Sequence, residues 1–181
     1  MKRRTSHLAL GAATAMTLCL TATAGWSLSA EEAWNKWQEL TASGGEDVSV
    51  TTGSASGSGG TYTVTDYVLS MKSDEFSGSF TIQEIKFTEN GDDVDVTMSP
   101  ESSMTLDVTP ASGEVVKVEF GISTNELLMT ASDAGGGTQF TYSVPSTVMT
   151  LTDLVVEDEK IDMTGQFTAN NSVGPYTVGT Q

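Results

Sequence analysis

Two stretches of this chain alternate apolar and polar residues and then change phase partway along. "TYTVTDYVLSMK", residues 61 to 72, carries Tyr62 and Val64, then Tyr67, Leu69 and Met71. "SFTIQEIKFTE" does the same with Phe80 and Ile82, then Ile85 and Phe87. Successive side chains of a strand point to opposite faces, so such runs read as strands with one apolar face. A phase change keeps that face apolar only where the strand takes in an extra residue. A bulge or bend is therefore predicted near Thr65-Asp66.

The period-two pattern continues through most of the chain. "EDVSVTT" reads as a short strand and "SASGSGG" as a loop. Asn90-Gly91 is a strong hairpin signal, and Val94, Val96 and Met98 alternate with acids after it. Further strands are predicted at residues 104–109, 114–122, 126–132, 138–144, 148–157 and 160–168. Pro100, the stretch from Pro110 to Gly113, Asn125, Gly135-Gly136-Gly137, Pro145 and Asp158-Glu159 punctuate them. Short strands at such spacing belong to an antiparallel meander, sandwich or barrel. "TVTDYVL" (63–69) also resembles "TLTDLVV" (150–156), a hint of internal repetition. The fold expected is mainly β: an antiparallel meander or bent sheet, forming a half-open barrel or groove, with one N-terminal helix.

That helix is "SAEEAWNKWQELTA", residues 29 to 42. Ser29 is the N-cap and Glu32 completes a capping box. Glu31 and Glu32 suit the positive end of the helix dipole, and Gly44-Gly45 ends the helix. Ala33, Trp34, Trp37 and Leu40 follow helical spacing. Trp34, Trp37 and Leu40 are the residues expected to dock the helix on the sheet as an apolar plug, with Trp37→Ala costing about 3 kcal/mol.

The first 24 residues read as a secretory signal peptide, with cleavage as far along as Ala30 the alternative. Lys2, Arg3 and Arg4 precede an apolar run from Leu8 to Leu20, then small residues. That run is short for a membrane span, which needs about 20 apolar residues. Residues 46–181 form the β domain. Tyr176-Thr177-Val178 looks like the start of another strand, the pattern of a chain cut short with more sheet beyond Gln181.

Removing the leader removes His7, Cys19 and every arginine. Five lysines then face 24 acids, a net charge of −19. Without His, Cys or Arg there is no disulfide, no Ser-His-Asp triad, no Cys-His pair, no zinc site of those ligands and no arginine fork. The charge opposes nucleic acid and anionic membrane surfaces. No catalytic residue and no cofactor is assigned, and the chain is read as non-enzymatic.

The candidate sites are clusters or pairs of carboxylates and a set of large aromatics. Asp92, Asp93 and Asp95, with Glu89, could hold calcium at the Asn90-Gly91 turn, although the order is not that of an EF-hand loop. A charged hairpin tip explains them as well, and the same holds for Glu157, Asp158, Glu159 and Asp162. Paired carboxylates can hydrolyse glycosides, but among 24 acids some pair always qualifies. Tyr62, Tyr67, Phe76, Phe80, Phe87, Phe120, Phe140, Tyr142 and Phe167 could line a groove for an acyl chain or form an ordinary core. The partner expected is a lipid-like ligand or an envelope protein adding a strand.

Several strings are familiar together: "EEAWNKWQEL", "GGTYTVTDYVLSM", "IQEIKFTENGDDVDVTMSPE" and "VPSTVMTLTDLVVEDEKIDMTG". They resemble the N-terminal half of the alphaproteobacterial family known as domain of unknown function 2125, from about Glu31 to Tyr176. The resemblance implies an exported, β-rich envelope protein, in a family whose members are usually longer. It carries no functional residues over. The location expected is the periplasm of a Gram-negative bacterium, with secretion or a membrane anchor as the alternatives. A carboxylate-dependent glycan hydrolase and a calcium-assisted surface or matrix protein are the alternatives.

Overall fold

The computed structural model describes residues 27–45, 47–109 and 113–179. The leader reading falls outside them. The elements are α1 (Ala30–Ala42), β1 (Val48–Thr51), β2 (Ser54–Ser58), β3 (Thr61–Lys72), β4 (Phe76–Asn90), β5 (Asp93–Met98), β6 (Glu101–Val108), β7 (Val116–Asn125), β8 (Leu128–Asp133), β9 (Gly137–Val156), β10 (Glu159–Lys160) and β11 (Gln166–Gly179). All strand pairs are antiparallel. The molecule is mainly β with one short helix, as the sequence predicts.

β4 pairs with both β5 and β6, and β9 with both β8 and β7. β5–β8 and β6–β7 close a ring of six strands that is not a regular barrel. The register explains the ring. β1 and β2 continue one another along β3, β5 and β6 along β4, and β8 and β7 along β9. The strands thus make seven long passes, of which β3, β4, β9 and β11 are single strands and the others pairs of shorter ones, each with an interruption near mid-length; β10 is a short addition beside β9.

The interruptions line up. Asp66 has φ 50°, and the β3–β4 register skips it together with Gln83 opposite. Asn171 has φ 55°, and the β9–β11 register skips it together with Pro145. Gly53 separates β1 from β2 opposite Asp66, and its N–H donates to Thr65 O at 2.9 Å. Ser99 and Pro100 separate β5 from β6, with Ser99 N donating to Glu84 O at 2.9 Å. Glu126, φ 52°, separates β7 from β8. Gly53, Asp66, Gln83, Pro100, Glu126, Pro145 and Asn171 are all exposed. Together they form a crease of outward residues across the sheet. Each extra residue resets the alternation, so Val64 and Tyr67, or Ile85 and Ile82, lie on the same inner face and in the same core.

The repeated string marks a similar device. The β7–β9 register shifts between Glu119 and Phe120, which brings Leu151 and Leu154 to one face just as Val64 and Tyr67 are brought together. In both strings a Thr-Asp pair separates the two inward residues.

Three readings of the sequence are corrected. Residues 54–58, expected as a loop, form β2. Gly59 and Gly60, at φ 60° and 76°, make a tight hairpin turn, and backbone pairing to β3 needs no apolar side chains. Pro145, expected to end a strand, lies inside the single 20-residue β9, because a crease position needs no ladder N–H. The strand expected at 160–168 is instead the two residues of β10, a connection, and then β11 from Gln166.

Candidate functional site

The crease divides the sheet into halves with different fates. In one half lie β2, residues 61–65 of β3, 85–90 of β4, β5, β8, and the near parts of β9 and β11. Helix α1 packs against its inner face. The sequence builds that helix locally. Ser29 Oγ accepts from Glu32 N at 3.2 Å, and Glu32 Oε2 accepts from Ser29 N at 2.9 Å and from Ser29 Oγ at 2.7 Å. A further donor is satisfied from the sheet: Ala30 N donates to Glu89 Oε1 at 3.2 Å. Glu89 also fixes its own strand end, its N–H donating to Gly60 O at 2.8 Å.

The capping box yields a pH prediction. The Ser29 backbone N–H and hydroxyl hold the Glu32 carboxyl below its usual range. A depressed folded value contributes stability above the unfolded value and loses it as pH falls through the folded value. Ser29→Ala is expected to cost about 1 kcal/mol at neutral pH. In urea titrations the gap between the proteins should narrow as pH drops through the carboxylate range. A gap that stays constant to acid would mean the pair does not act as a unit.

Ala33 and Trp34 are buried, and Ala30 with them. Trp34 lies edge-on to Tyr67 at 6.1 Å and against Phe87 at 5.8 Å. Trp37 is half-buried and meets Phe87 at 6.5 Å and Phe140 at 5.6 Å. Leu40 is half-buried and lies off the core cluster, its place in the expected docking set taken by the alanines. Burial pushes the Tyr67 hydroxyl above its ordinary value, with Trp37 and Thr41 beside it. Neither Tyr67 Oη nor Trp37 Nε1 makes a hydrogen bond. The helix touches β1 and β3 near one sheet edge and β11 at the other, so it plugs the space that the curled half encloses.

The other half is different. Its strands are β1, residues 67–72 of β3, 76–82 of β4, β6, β7, 146–156 of β9 and 166–170 of β11. Register aligns its inner residues into rows. One runs Val50, Leu69, Phe80, Met104, Phe120, Leu151. The next runs Val48, Met71, Gly78, Leu106, Val118, Leu154. A third begins at Phe76 and continues through Val108 and Val116 to Val156. No acid or lysine stands on these rows. The outer face at the same level reads Ser49, Ser70, Ser79, Thr105, Glu119, Asp153. Lys160 lies 2.6 Å from Asp153, relieving the Glu119–Asp153 repulsion.

The inner rows nearest the crease reach the helix-capped core through Val50, Leu69 and Phe80. From Met104 onward they do not belong to it, and Met104, Leu106, Val118 and Phe120 are only half-buried. An apolar hollow of about 360 Å³ lies here, between Val118, Phe120, Met149, Leu151 and Leu154. Met163, Gln166 and Phe167 complete its rim, with Phe167 64% exposed.

The aromatic residues weighed for a groove therefore separate into groups. Tyr67, Phe87 and Phe140 are core under the helix, with Tyr62 and Phe80 at its margin. Phe76, Phe120 and Phe167 belong to the open half. Tyr142 stacks on Tyr176 at 5.6 Å near the β11 edge. The aliphatic residues Leu106, Val118, Leu151 and Leu154 were not singled out from sequence. Their alternation was visible, but only cross-strand register shows that they form one surface. Among the described residues no three His, Cys, Asp or Glu side chains converge to hold a metal ion. Asp92, Asp93 and Asp95 are not brought together as a cluster: Asp95 accepts from Asn90 Nδ2 at 2.9 Å, and their neighbour Glu89 is taken up by the helix. Glu157, Asp158, Glu159 and Asp162 likewise do not converge.

Compared with protein-family models, curated proteins and solved structures, the chain matches none. Among the described residues no helix is long and apolar enough to cross a membrane.

Proposed function

We propose that this is a non-enzymatic, exported envelope protein whose open half-sheet holds a lipid-like ligand against its inner face. The observation that supports this reading is the half-buried apolar surface running from Met104 and Phe120 past the buried Leu151 to Leu154. One half of the same face is plugged by α1, and the other half offers an uncharged hollow. Covering an apolar surface of this kind is favourable at about 25 cal/mol per Å². A surface without cations or acids suits an acyl chain better than a sugar or an anion. The leader expected at residues 1–24 supports export, and the periplasm is the compartment proposed.

Native mass spectrometry of the full chain prepared from envelope extracts should show added mass in the acyl-lipid range. A fluorescent fatty acid should bind the purified protein, and Phe120→Asp or Val118→Asp should weaken it at least about tenfold. Ser79→Asp, on the outer face, should leave binding unchanged. An apo protein that neither co-purifies with lipid nor binds the fluorescent fatty acid would overturn the proposal.

A further inference from the structure

The hollow between β7 and β9 has apolar walls, and the charges around it are distributed unevenly. From Ser27 to Gln181 the chain contains five lysines and no arginine or histidine. Any cation there that meets an anionic group must be one of the five. Lys36 Nζ lies 2.8 Å from Glu39 on α1 itself. Lys86 Nζ lies 2.7 Å from Glu84, and Lys160 Nζ lies 2.6 Å from Asp153. Lys72 stands opposite Ser77, and Lys117 opposite Asp107 and Val155. Lys72 follows the inward Met71, and Lys117 lies between the inward Val116 and Val118, so both belong to the outer face. No lysine of the sheet stands on its inner face.

The acids are placed differently. Beyond the last apolar row, from Phe76 to Val156, the chain carries Asp74 and Glu75, Glu114, and Glu157 and Asp158, all exposed. The far rim of the open half is therefore acidic, in a chain of formal net charge −16. Size adds a second constraint. A hollow of about 360 Å³ is near the small end of ligand sites, which favours one acyl chain over two.

We propose that the ligand of this hollow is a single-chain lipid with an uncharged polar end, of the monoacylglycerol class, in preference to a fatty-acid anion. The inference rests on the lipid-like ligand proposed above and adds its class. An ionised head beside apolar walls loses hydration, and only a paired charge offsets that loss. Here the rim carries acids, and the lysines are paired or on the outer face. A hydroxyl or ester loses far less on leaving water, and at an open rim it keeps water as a partner. The acyl chain buries the same apolar area in either case, so the two classes differ in the head alone.

Dodecanoic acid and its monoglyceride carry the same chain. Each is titrated at neutral pH, below its micellar range, against the fluorescent fatty acid bound to the full chain. That tracer is itself an acid and is readily displaced on this inference. The monoglyceride should displace it at a concentration at least about tenfold lower than the acid does. Leu106 stands opposite Val118 beside the hollow, so Leu106→Lys puts a cation on the inner face. It should narrow the ratio by roughly threefold or more, and Glu114→Lys, at an exposed position of the rim, should narrow it in the same direction. Equal displacement by the two ligands, or a preference for the acid, would overturn this inference and leave the lipid-binding reading standing. So would a preference for the monoglyceride that neither lysine narrows, because the head would then not be selected by charge. A protein that binds neither the tracer nor either ligand would overturn both.

Discussion

Trp34→Ala is expected to lower the free energy of unfolding by about 3–5 kcal/mol, a large fraction of the marginal stability of a single domain. Trp34 is 3% exposed and packs on Tyr67 and Phe87, from two adjacent strands. Truncation removes the transfer energy of an indole and leaves a cavity between helix and sheet that neither can close. The strands cannot move inward without losing register, and the helix is held by Glu89 and by its short link to β1. Trp37→Ala, put at about 3 kcal/mol or more from sequence, is revised down to about 2 kcal/mol, because the ring is only half-buried and its Nε1 has no hydrogen-bond partner to lose. Leu40→Ala should be smaller again. Urea titrations followed by far-UV circular dichroism give this order directly. A Trp37 effect larger than that of Trp34 would mean the helix docks on its other side.

Deleting Asp66 should be more severe, abolishing the cooperative fold. Asp66 is exposed and makes no core contact, so a reading based on contacts alone would expect almost nothing. Its role is one of count. With it, Val64 and Tyr67 both face inward. Without it, Tyr67, Leu69 and Met71 turn to the outer face, and Val68 and Ser70 turn in. Each large side chain moved from inside to outside forfeits about 1.5–3 kcal/mol, and the loss is shared by every strand paired to β3. Substitution behaves oppositely. Asp66→Gly should be tolerated within about 1 kcal/mol, since a φ of 50° costs glycine nothing. Asp66→Ile should cost about 1–3 kcal/mol, because a β-branched residue resists that geometry. Thermal unfolding of the three variants should rank them glycine, isoleucine, deletion. A deletion variant with a cooperative transition near that of the wild type would show that the crease does not set the faces.

Local signals were legible wherever neighbours in sequence sufficed. Ser29 and Glu32 meet within one helical turn, so the capping box could be read and is present. The phase change around Asp66 could be read because the alternation itself carries it. Asn90-Gly91 turned the chain as expected, with Gly91 at φ 69°. Reading failed where pairing rather than side-chain character decides. Ser54–Ser58 has no apolar residue larger than alanine, yet β3 recruits it through its backbone. Pro145 breaks most strands but sits at the one kind of position where a missing N–H costs nothing. Glu89 looked like one acid of a cluster, and only the packing of a helix 59 residues away gave it a partner.

The sequence by itself determined the class of structure, the helix and its cap, and the individual phase changes. These follow from composition and from interactions within a few residues. Tertiary structure alone decided that the phase changes align as one crease across the sheet, because register couples residues far apart in the chain. It also decided that α1 covers the inner face on one side of that crease and, on the other, reaches only its margin at β1 and Tyr67. Both halves have the same alternating pattern, and a 13-residue helix is too short to cover both. Which half it covers depends on Trp34 and Trp37 finding Tyr67, Phe87 and Phe140 together, an arrangement no single stretch of sequence contains.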